Sequence, residues 1–295
     1  MSETVAQCPL CKHTESALFD RREFRGQSVI NQICKRCGLV FQSPRMNAAE
    51  LDAFYEAEYR TLYQGGEGPS PKDLAVQQAR AEALLAITAK YLPAVQRHLD
   101  IGCSAGLLLQ RFQSALASQP VGVEPGESYR AYARAQGLEV HASLDELPAE
   151  QMGNIELVSM AHVLEHLPDP IAYLQDLREK ILAPDGWLLL EVPNLYAHDS
   201  FEVAHMTAFS AHSLRQVLLQ AGFEIVMLRK HGQPRSHWLP LYLTVLARPR
   251  QSAAPVSIQA ESAVAVKRRV GMLHRRVLSR LSPRRAWISK TEIKR

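Results

Sequence analysis

Two pairs of cysteines near the start of this 295-residue chain have the spacing of a metal site. Cys8 and Cys11 form the first Cys-X-X-Cys pair, and Cys34 and Cys37 form the second after 22 intervening residues. Each pair can present two thiolates to one ion, and two pairs complete a tetrahedron of soft ligands that suits Zn²⁺. Four protein ligands leave no open coordination position, so we expect a structural ion. Iron remains an alternative on spacing alone.

A second pattern, His98-Leu-Asp-Ile-Gly-Cys-Ser-Ala-Gly106, leads from an apolar run through a tight turn into an apolar helix-like run. Such a turn lies at the carboxyl edge of a parallel sheet, where ligands of open α/β folds bind. Gly102 allows the bend, and Gly106 allows close packing of the helix. Ser104 and Leu107 stand where a dinucleotide fingerprint has glycine, so we do not expect a bound diphosphate.

An acidic residue follows at the end of the next predicted strand. Glu124 lies 22 residues after Gly102, where a carboxylate can accept hydrogen bonds from both hydroxyls of a ribose. The expected ligand therefore contains a nucleoside but no diphosphate, and S-adenosylmethionine fits that description. Cys103, inside the turn, is interpreted as a small packing residue rather than a nucleophile.

Alternating strands and helices are expected to position these residues. Apolar runs predict seven strands, at 97–101, 121–124, 139–142, 155–161, 187–192, 224–228 and 241–247. Helical periodicity predicts an amphipathic helix over 73–92 and further helices near 105–118, 128–136, 170–181 and 211–221. This alternation predicts an α/β fold, with a doubly wound, mostly parallel seven-stranded sheet and helices on both faces. The last two strands have a short connection and should pair antiparallel.

The chain divides into four expected parts. Residues 1–46 form the four-cysteine module with short strands at 28–33 and 39–42, 47–72 a connector, 73–248 the sheet domain, and 249–295 a linker with a basic tail. From Gln251 onward there are eleven Lys and Arg against two acids, a net charge of +9, which leaves about −5 for the rest of a chain whose total is +4. A chain that is 46% hydrophobic is neither disordered nor fibrous.

Taken together, these motifs resemble those of class I S-adenosylmethionine-dependent methyltransferases. Asp100-Ile-Gly-Cys-Ser-Ala-Gly106 is similar to motif I, Glu124 to the acidic residue of motif II, and residues 159–170, 182–194 and 205–223 to later motifs. The cysteine pairs, with Leu51, Tyr55 and Tyr59 after them, resemble the zinc-ribbon leader of one branch of that family. That branch is common among bacterial enzymes that methylate sugars and other surface-glycan or secondary-metabolite precursors. The resemblance covers residues 8–248 or so.

The resemblance implies a Rossmann-like methyltransferase fold, S-adenosylmethionine, a structural zinc ion and a small-molecule acceptor such as a sugar or surface-glycan precursor. Asp100 would approach the methionine amino group, Glu124 would hold the ribose, and residues 142–144 would border the adenine. The implied donor-binding residues are Asp100, Gly102, Cys103, Gly106, Glu124, Ala161 and His162.

Histidines are the expected catalytic residues. Methyl transfer from a sulfonium is an in-line displacement in which positioning supplies much of the rate, and a general base is needed if the acceptor is a hydroxyl or a carbon acid. His205, between the fifth and sixth strands, is the first candidate and His162 the second, whereas His166 with Glu165 should hold the loop. His162–His166 also spells the H-x-x-E-H motif of zinc peptidases, but a strand precedes it and Pro168 follows, which excludes the required helix.

The spacing of apolar residues in the basic tail predicts a surface helix over 263–281. Its apolar residues form one stripe, at Val266, Val270, Leu273, Val277 and Leu281. It could bind an anionic membrane, a protein partner or phosphates, or could simply be solvated. An RNA methyltransferase is the first alternative function, although the acidic body argues against a nucleic-acid partner, and a non-catalytic protein with the same fold is the second. No leader or membrane span is visible, so we expect the cytoplasm, with peripheral association at the inner membrane face as an option.

Overall fold

The computed structural model describes residues 3–54, 68–251 and 256–288. Residues 55–67 of the expected connector lie outside the described residues, and Tyr55 and Tyr59 of the zinc-ribbon resemblance lie there with them. The same holds for residues 252–255 of the expected linker and for 289–295 at the end of the tail. No described helix is both long enough and apolar enough to cross a bilayer.

The cysteine module is an antiparallel sheet. Its strands are β1 (Ser16–Phe24), β2 (Gln27–Cys34) and β3 (Val40–Gln42), followed by the short helix α1 (Ala48–Ala53). Strands β2 and β3 were predicted, but β1 was not. The sequence of β1, SALFDRREF, carries four charges and is largely exposed or half-buried, so it lacks the apolar alternation that marks a strand.

The remaining elements follow the predicted alternation. They are α2 (Pro71–Thr88), β4 (Arg97–Ile101), α3 (Leu107–Leu116), β5 (Gln119–Val123), α4 (Glu127–Ala135), β6 (Glu139–His141), β7 (Ile155–Ala161), α5 (Pro170–Asp176), β8 (Leu182–Pro193), β9 (Thr207–Ala208), α6 (Ala211–Gln220), β10 (Phe223–His231), β11 (Tyr242–Pro249), α7 (Val264–Leu281) and α8 (Pro283–Ala286). Helix α2 begins with Pro71 at its first position and a capping box between Ser70 and Asp73. It ends at Thr88, four residues before the predicted end.

Seven strands form one sheet in the order β6-β5-β4-β7-β8-β11-β10. Strands β4 to β8 are parallel to one another, and β11 is antiparallel to both of its neighbours. The predicted fold class, a mostly parallel seven-stranded sheet with an antiparallel final pair, is confirmed.

Side chains of the central strands alternate between two apolar layers, as the period of a strand requires. Leu157 and Leu189 pack with helices α2 and α3 on one face. Val158 and Leu190 pack with α5 and α6 on the other face, in a cluster that also contains Leu39 from the cysteine module. The module therefore shares a core with the large sheet domain.

Two further sets of contacts join the cysteine module and the segment before α7 to the large sheet domain. Strand β9, which follows the large sheet's β8, pairs antiparallel with β3 and completes a four-stranded sheet in the cysteine module. Residues 256–262, which belong to the predicted linker, lie against α6 and the cysteine module. The amide of Gln259 donates to Gln216 Oε1 at 3.0 Å, and the amide of Glu261 donates to the carbonyl of Cys37 at 3.0 Å.

Candidate active site

A cavity of about 670 Å³ opens at the carboxyl ends of four neighbouring parallel strands, β4 to β7. Pockets for small molecules usually occupy ~300–1,000 Å³. The loop after each strand contributes one part of the wall, namely 102–104 after β4, 124–126 after β5, 142–145 after β6 and 161–163 after β7. The sequence predicted each of these loops as part of a donor site.

The turn after β4 has the backbone that its glycines suggested. Gly102 and Gly106 both have positive φ, 73° and 80°. A Cβ at Gly102 would lie 2.6 Å from Val163 Cγ2, and one at Gly106 would lie 2.2 Å from Leu138 Cδ1, so neither position accepts a larger residue without displacement. Ser104 also has a positive φ of 52°, a conformation that costs ~1–2 kcal/mol for a residue with a side chain.

A side chain from α2 supports this strained turn. Gln77 Nε2 donates to Ser104 Oγ at 3.1 Å, and Gln77 Oε1 accepts from the amide of Ala105 at 3.2 Å. Both polar ends of one amide therefore hold the turn, and Gln77 itself lines the cavity. This residue was not predicted from the sequence.

Glu124 lies over the same turn. Its Oε2 accepts from the amide of Ser104 at 3.0 Å, and its Oε1 accepts from the amide of Gly126 at 2.8 Å. These two bonds fix the carboxylate at the cavity wall, and a carboxylate is an acceptor suited to ligand hydroxyls. The geometry suits the ribose-binding role that the sequence predicted.

Asp100 is the buried carboxylate of the site, with 3% of its surface exposed. Ser159 donates its hydroxyl proton to Asp100 Oδ1 at 2.6 Å, and the same hydroxyl lies 2.8 Å from His98 Nε2. Burial lowers the pKa of His98 to about 3, so that ring is neutral and can donate from Nε2 to Ser159. Burial also raises the pKa of Asp100 to about 7, with the Ser159 bond opposing the rise and the charge of Glu124 adding to it.

His162 lines the cavity between two buried carboxylates. Its Nδ1 lies 3.2 Å from Glu165 Oε1, and its Nε2 lies 3.2 Å from Glu191 Oε1, which also pairs with Arg80 Nε at 2.8 Å. Burial and the charge of Arg80 lower the pKa of His162, but hydrogen bonding to Glu165 and Glu191 outweighs both and raises it. Both ring nitrogens therefore face acids, which favours an imidazolium in the cavity wall over a free base.

His205 does not line the cavity, although it was the first catalytic candidate. Its ring packs edge-to-face against His166, with ring centroids 4.7 Å apart, and His166 does line the cavity. His205 Nδ1 donates to the carbonyl of Ser200 at 2.7 Å.

The loop that carries His205 is anchored to the segment after β7. His166 Nδ1 donates to the carbonyl of Ala204 at 3.0 Å, and the amide of Met206 donates to the carbonyl of Glu165 at 2.8 Å. Burial and the neighbouring charge of His205 together lower the pKa of His166 to about 4. Glu165, His166 and His205 have potential ligand atoms within 4.8 Å of one another, but these contacts show a hydrogen-bonded anchor for the loop.

Comparison with known proteins shows which family the chain belongs to. Residues 75–228, more than half of the chain, match the family model described as a methyltransferase domain. The chain belongs to the methyltransferase domain family. The predictions of this family and of its fold are confirmed.

Curated relatives of this chain include ubiquinone biosynthesis O-methyltransferases. The protein of Xanthomonas axonopodis pv. citri is 30% identical over 160 residues, which cover 52% of this chain and 64% of the relative. The protein of Xanthomonas oryzae pv. oryzae is 30% identical over 159 residues with the same coverage. The chain thus spans less than two thirds of the length of these relatives.

Solved structures of low identity share the fold. The 1,6-didemethyltoxoflavin-N1-methyltransferase of Burkholderia thailandensis, with bound 1,6-didemethyltoxoflavin and S-adenosylhomocysteine, is 18% identical, with a TM-score of 0.57 over 79% of this chain and 100% of its own. The cyclase SpnF is 16% identical, with a TM-score of 0.53 over 71% of this chain and 99% of its own. At these identities the likeness shows the fold alone.

The four cysteines of the chain come together as their spacing predicted. Their sulfurs lie within 4.8 Å of one another, with Cys8 and Cys37 3.5 Å apart and Cys11 and Cys34 3.5 Å apart. Zinc–sulfur bonds of ~2.3 Å in a tetrahedron place sulfurs ~3.8 Å apart. The donor set and its size therefore fit a zinc ion.

Several residues of the candidate site were not predicted from the sequence. Gln77 and Arg80 lie on α2, which the sequence marked only as an amphipathic helix. Ser159 and Glu191 support Asp100 and His162 from inside strands. A polar residue within an otherwise apolar strand run was the available signal, because a buried polar group needs a partner.

Proposed function

We propose that this chain transfers a methyl group from S-adenosylmethionine to a small-molecule acceptor, and that the acceptor is a sugar or a surface-glycan precursor. The observation that carries the proposal is the placement of two carboxylates, those of Asp100 and Glu124, on either side of the glycine turn in one 670 Å³ cavity. The fold and the family agree with this use of the cavity.

The donor would be held by charge and by shape. Ionised Asp100 would attract the methionine amino group, Glu124 would accept from the ribose hydroxyls, and residues 142–145 would border the adenine. Cys103 and Ala161 also line this part of the cavity, whereas Gly106 acts from behind it by admitting Leu138. When bound, S-adenosylmethionine supplies a methyl group on a positively charged sulfur, so the chain has to position the reactants and exclude water.

The acceptor would enter beside His162 and His166. We propose that His162 is a charged wall residue of that end of the cavity. His166, whose ring is neutral, would contact the acceptor, and His205 would act as a positioning residue through its ring contact with His166. A hydroxyl acceptor is supported by the names of the curated relatives, which are O-methyltransferases.

The cysteine module would serve the site indirectly. We propose that residues 1–46 bind a structural zinc ion and that residues 73–248 are the catalytic domain. The module pairs with β9 through β3, and the loop that carries His205 leads directly into β9. A folded module thereby helps to hold that loop over the cavity.

Transfer of label tests this function directly. The full chain is incubated with S-adenosylmethionine carrying a labelled methyl group and with fractionated metabolites and total RNA of the host, and an Asp100→Asn protein serves as the control. Label in a sugar-containing small molecule, absent from the control, supports the proposal. Label in another small molecule overturns the acceptor class, and label in RNA would favour the RNA methyltransferase. Donor binding without transfer to any fraction would favour a non-catalytic role for the chain.

A further inference from the structure

Helix α7 packs on the body through a basic and polar side. Arg268, which is only 7% exposed, donates to the carbonyls of Leu195 and His198 and to Asp199 Oδ1, the last two at 2.8 and 3.1 Å. Arg275 donates to the carbonyl of Ala197 at 3.1 Å. The loop between β8 and β9 thus supplies the acceptors that hold the helix.

A glycine fixes which side of α7 faces inward. A Cβ at Gly271 would lie 1.8 Å from the carbonyl oxygen of Tyr196, so the helix can approach the loop closely only because this residue has no side chain. Val264, Arg268, Gly271 and Arg275 follow one another at spacings of 4, 3 and 4 residues, which is one face of a helix.

The apolar stripe lies on the opposite face. Its first four members sit two positions after the four inward residues, an offset of ~200° around a helix of 3.6 residues per turn. All five members are exposed, at 58% for Val266, 61% for Val270, 60% for Leu273, 42% for Val277 and 79% for Leu281. A surface helix of a globular protein normally buries such a stripe, so this one is available for a ligand surface.

Basic side chains border the stripe. By helical position, Arg269, Arg276 and Arg280 lie along one edge of it, and all three are exposed. His274 lies along the other edge, and the helix contains no acidic residue. Any partner of this face must therefore accept apolar side chains at its centre and present negative charge at its margins.

We propose that α7 binds in the plane of an anionic lipid membrane, with its apolar stripe among the acyl chains and its arginines at the headgroups. An interfacial helix of this kind buries its apolar face ~5–10 Å into the headgroup boundary, and the long arginine stems reach back to anionic headgroups. A second copy of the helix fits the charge pattern less well, because self-association along the stripe would bring like charges together at its edges. The methyltransferase would then work as a peripheral membrane protein.

Vesicle sedimentation with the full chain tests this proposal. The probes are vesicles of phosphatidylcholine alone and of phosphatidylcholine mixed with phosphatidylglycerol, each at low and high salt. We expect the chain to sediment with the mixed vesicles and at least tenfold less with the neutral ones, and to lose binding as salt rises, because the arginine attraction is screened.

Paired variants test whether vesicle binding depends on the apolar stripe or on any exposed apolar side chain. Val270→Ser with Leu273→Ser should reduce binding to mixed vesicles at least tenfold while leaving the thermal midpoint and affinity for S-adenosylmethionine unchanged. Val226→Ser, which alters an apolar residue of β10 that is 41% exposed, should bind as the parent does. Absence of binding by the parent, or equal binding by the double variant, overturns the proposal. A dimer of the parent that the double variant cannot form would assign the stripe to a second copy and overturn it as well.

Discussion

Replacing Asp100 by asparagine should stabilise the folded chain, and the gain should grow with pH. The carboxyl is buried, and its pKa in the folded protein is about 7 against an ordinary value of 3.8. A group whose pKa is raised by folding favours the folded state below its unfolded pKa, and that contribution is lost as pH rises through the folded pKa. Asparagine carries no such charge, and its carbonyl oxygen can still accept from Ser159.

The size of the effect follows from these two pKa values. Each pH unit between them corresponds to ~1.4 kcal/mol. At about pH 5, roughly one unit above the value of 3.8, Asp100 is ionised in the unfolded chain but protonated in the folded one, and this lowers the free energy of unfolding by about 2 kcal/mol. Above pH 7 the penalty reaches its full value of about 4 kcal/mol, from a difference of about three units.

Urea unfolding at about pH 5 and about pH 8 measures this difference. We expect the free energy of unfolding of Asp100→Asn, relative to the parent, to increase by about 2 kcal/mol between the two pH values, whatever constant offset the new amide introduces. Asp185→Asn, which removes an exposed carboxylate, is the matched control. A difference that is the same at both pH values, or that shrinks as pH rises, would refute the assignment of Asp100 as a strained buried acid.

Two further predictions concern the zinc module and the loop beside it. The full chain should contain one zinc per molecule by elemental analysis, and Cys34→Ser should lower both the zinc content and the thermal midpoint. If removal of the metal from the parent leaves its thermal midpoint unchanged, a structural zinc ion is excluded. His205→Ala should reduce turnover at least tenfold with donor affinity unchanged. It should also move the acid limb of the pH–rate profile to higher pH, because the charge of His205 lowers the pKa of His166. Normal turnover with an unmoved acid limb would remove His205 from the mechanism.

The residues that could be predicted are those whose role is imposed by local backbone geometry. Gly102 and Gly106 are needed because the turn has positive φ and close neighbours, and Glu124 was predicted to bind ribose from its place at the end of a strand. These requirements depend on only a few consecutive residues. The positions of the other site residues depend on tertiary packing.

Gln77 and Arg80 illustrate what local patterns do not contain. Their polar ends meet Ser104 and Glu191 only because α2 crosses the sheet at that place, and nothing in the helical period specifies such a crossing. The orientation of α7 is a second example. Its apolar stripe was correctly predicted, but its outward direction depends on Arg268 and Gly271 finding the carbonyls of a distant loop.

Calorimetric titration of S-adenosylmethionine tests the central claim, that the cavity around Asp100, the glycine turn and Glu124 is a methyl-donor site. The parent should bind one donor per chain, and Glu124→Gln should bind ~10–100-fold more weakly, because hydrogen bonds to a charged acceptor contribute ~1.5–3 kcal/mol. Glu127→Gln, an exposed acid at the start of α4, should bind as the parent does. Failure of the parent to bind the donor, or equal binding by Glu124→Gln, would contradict the account.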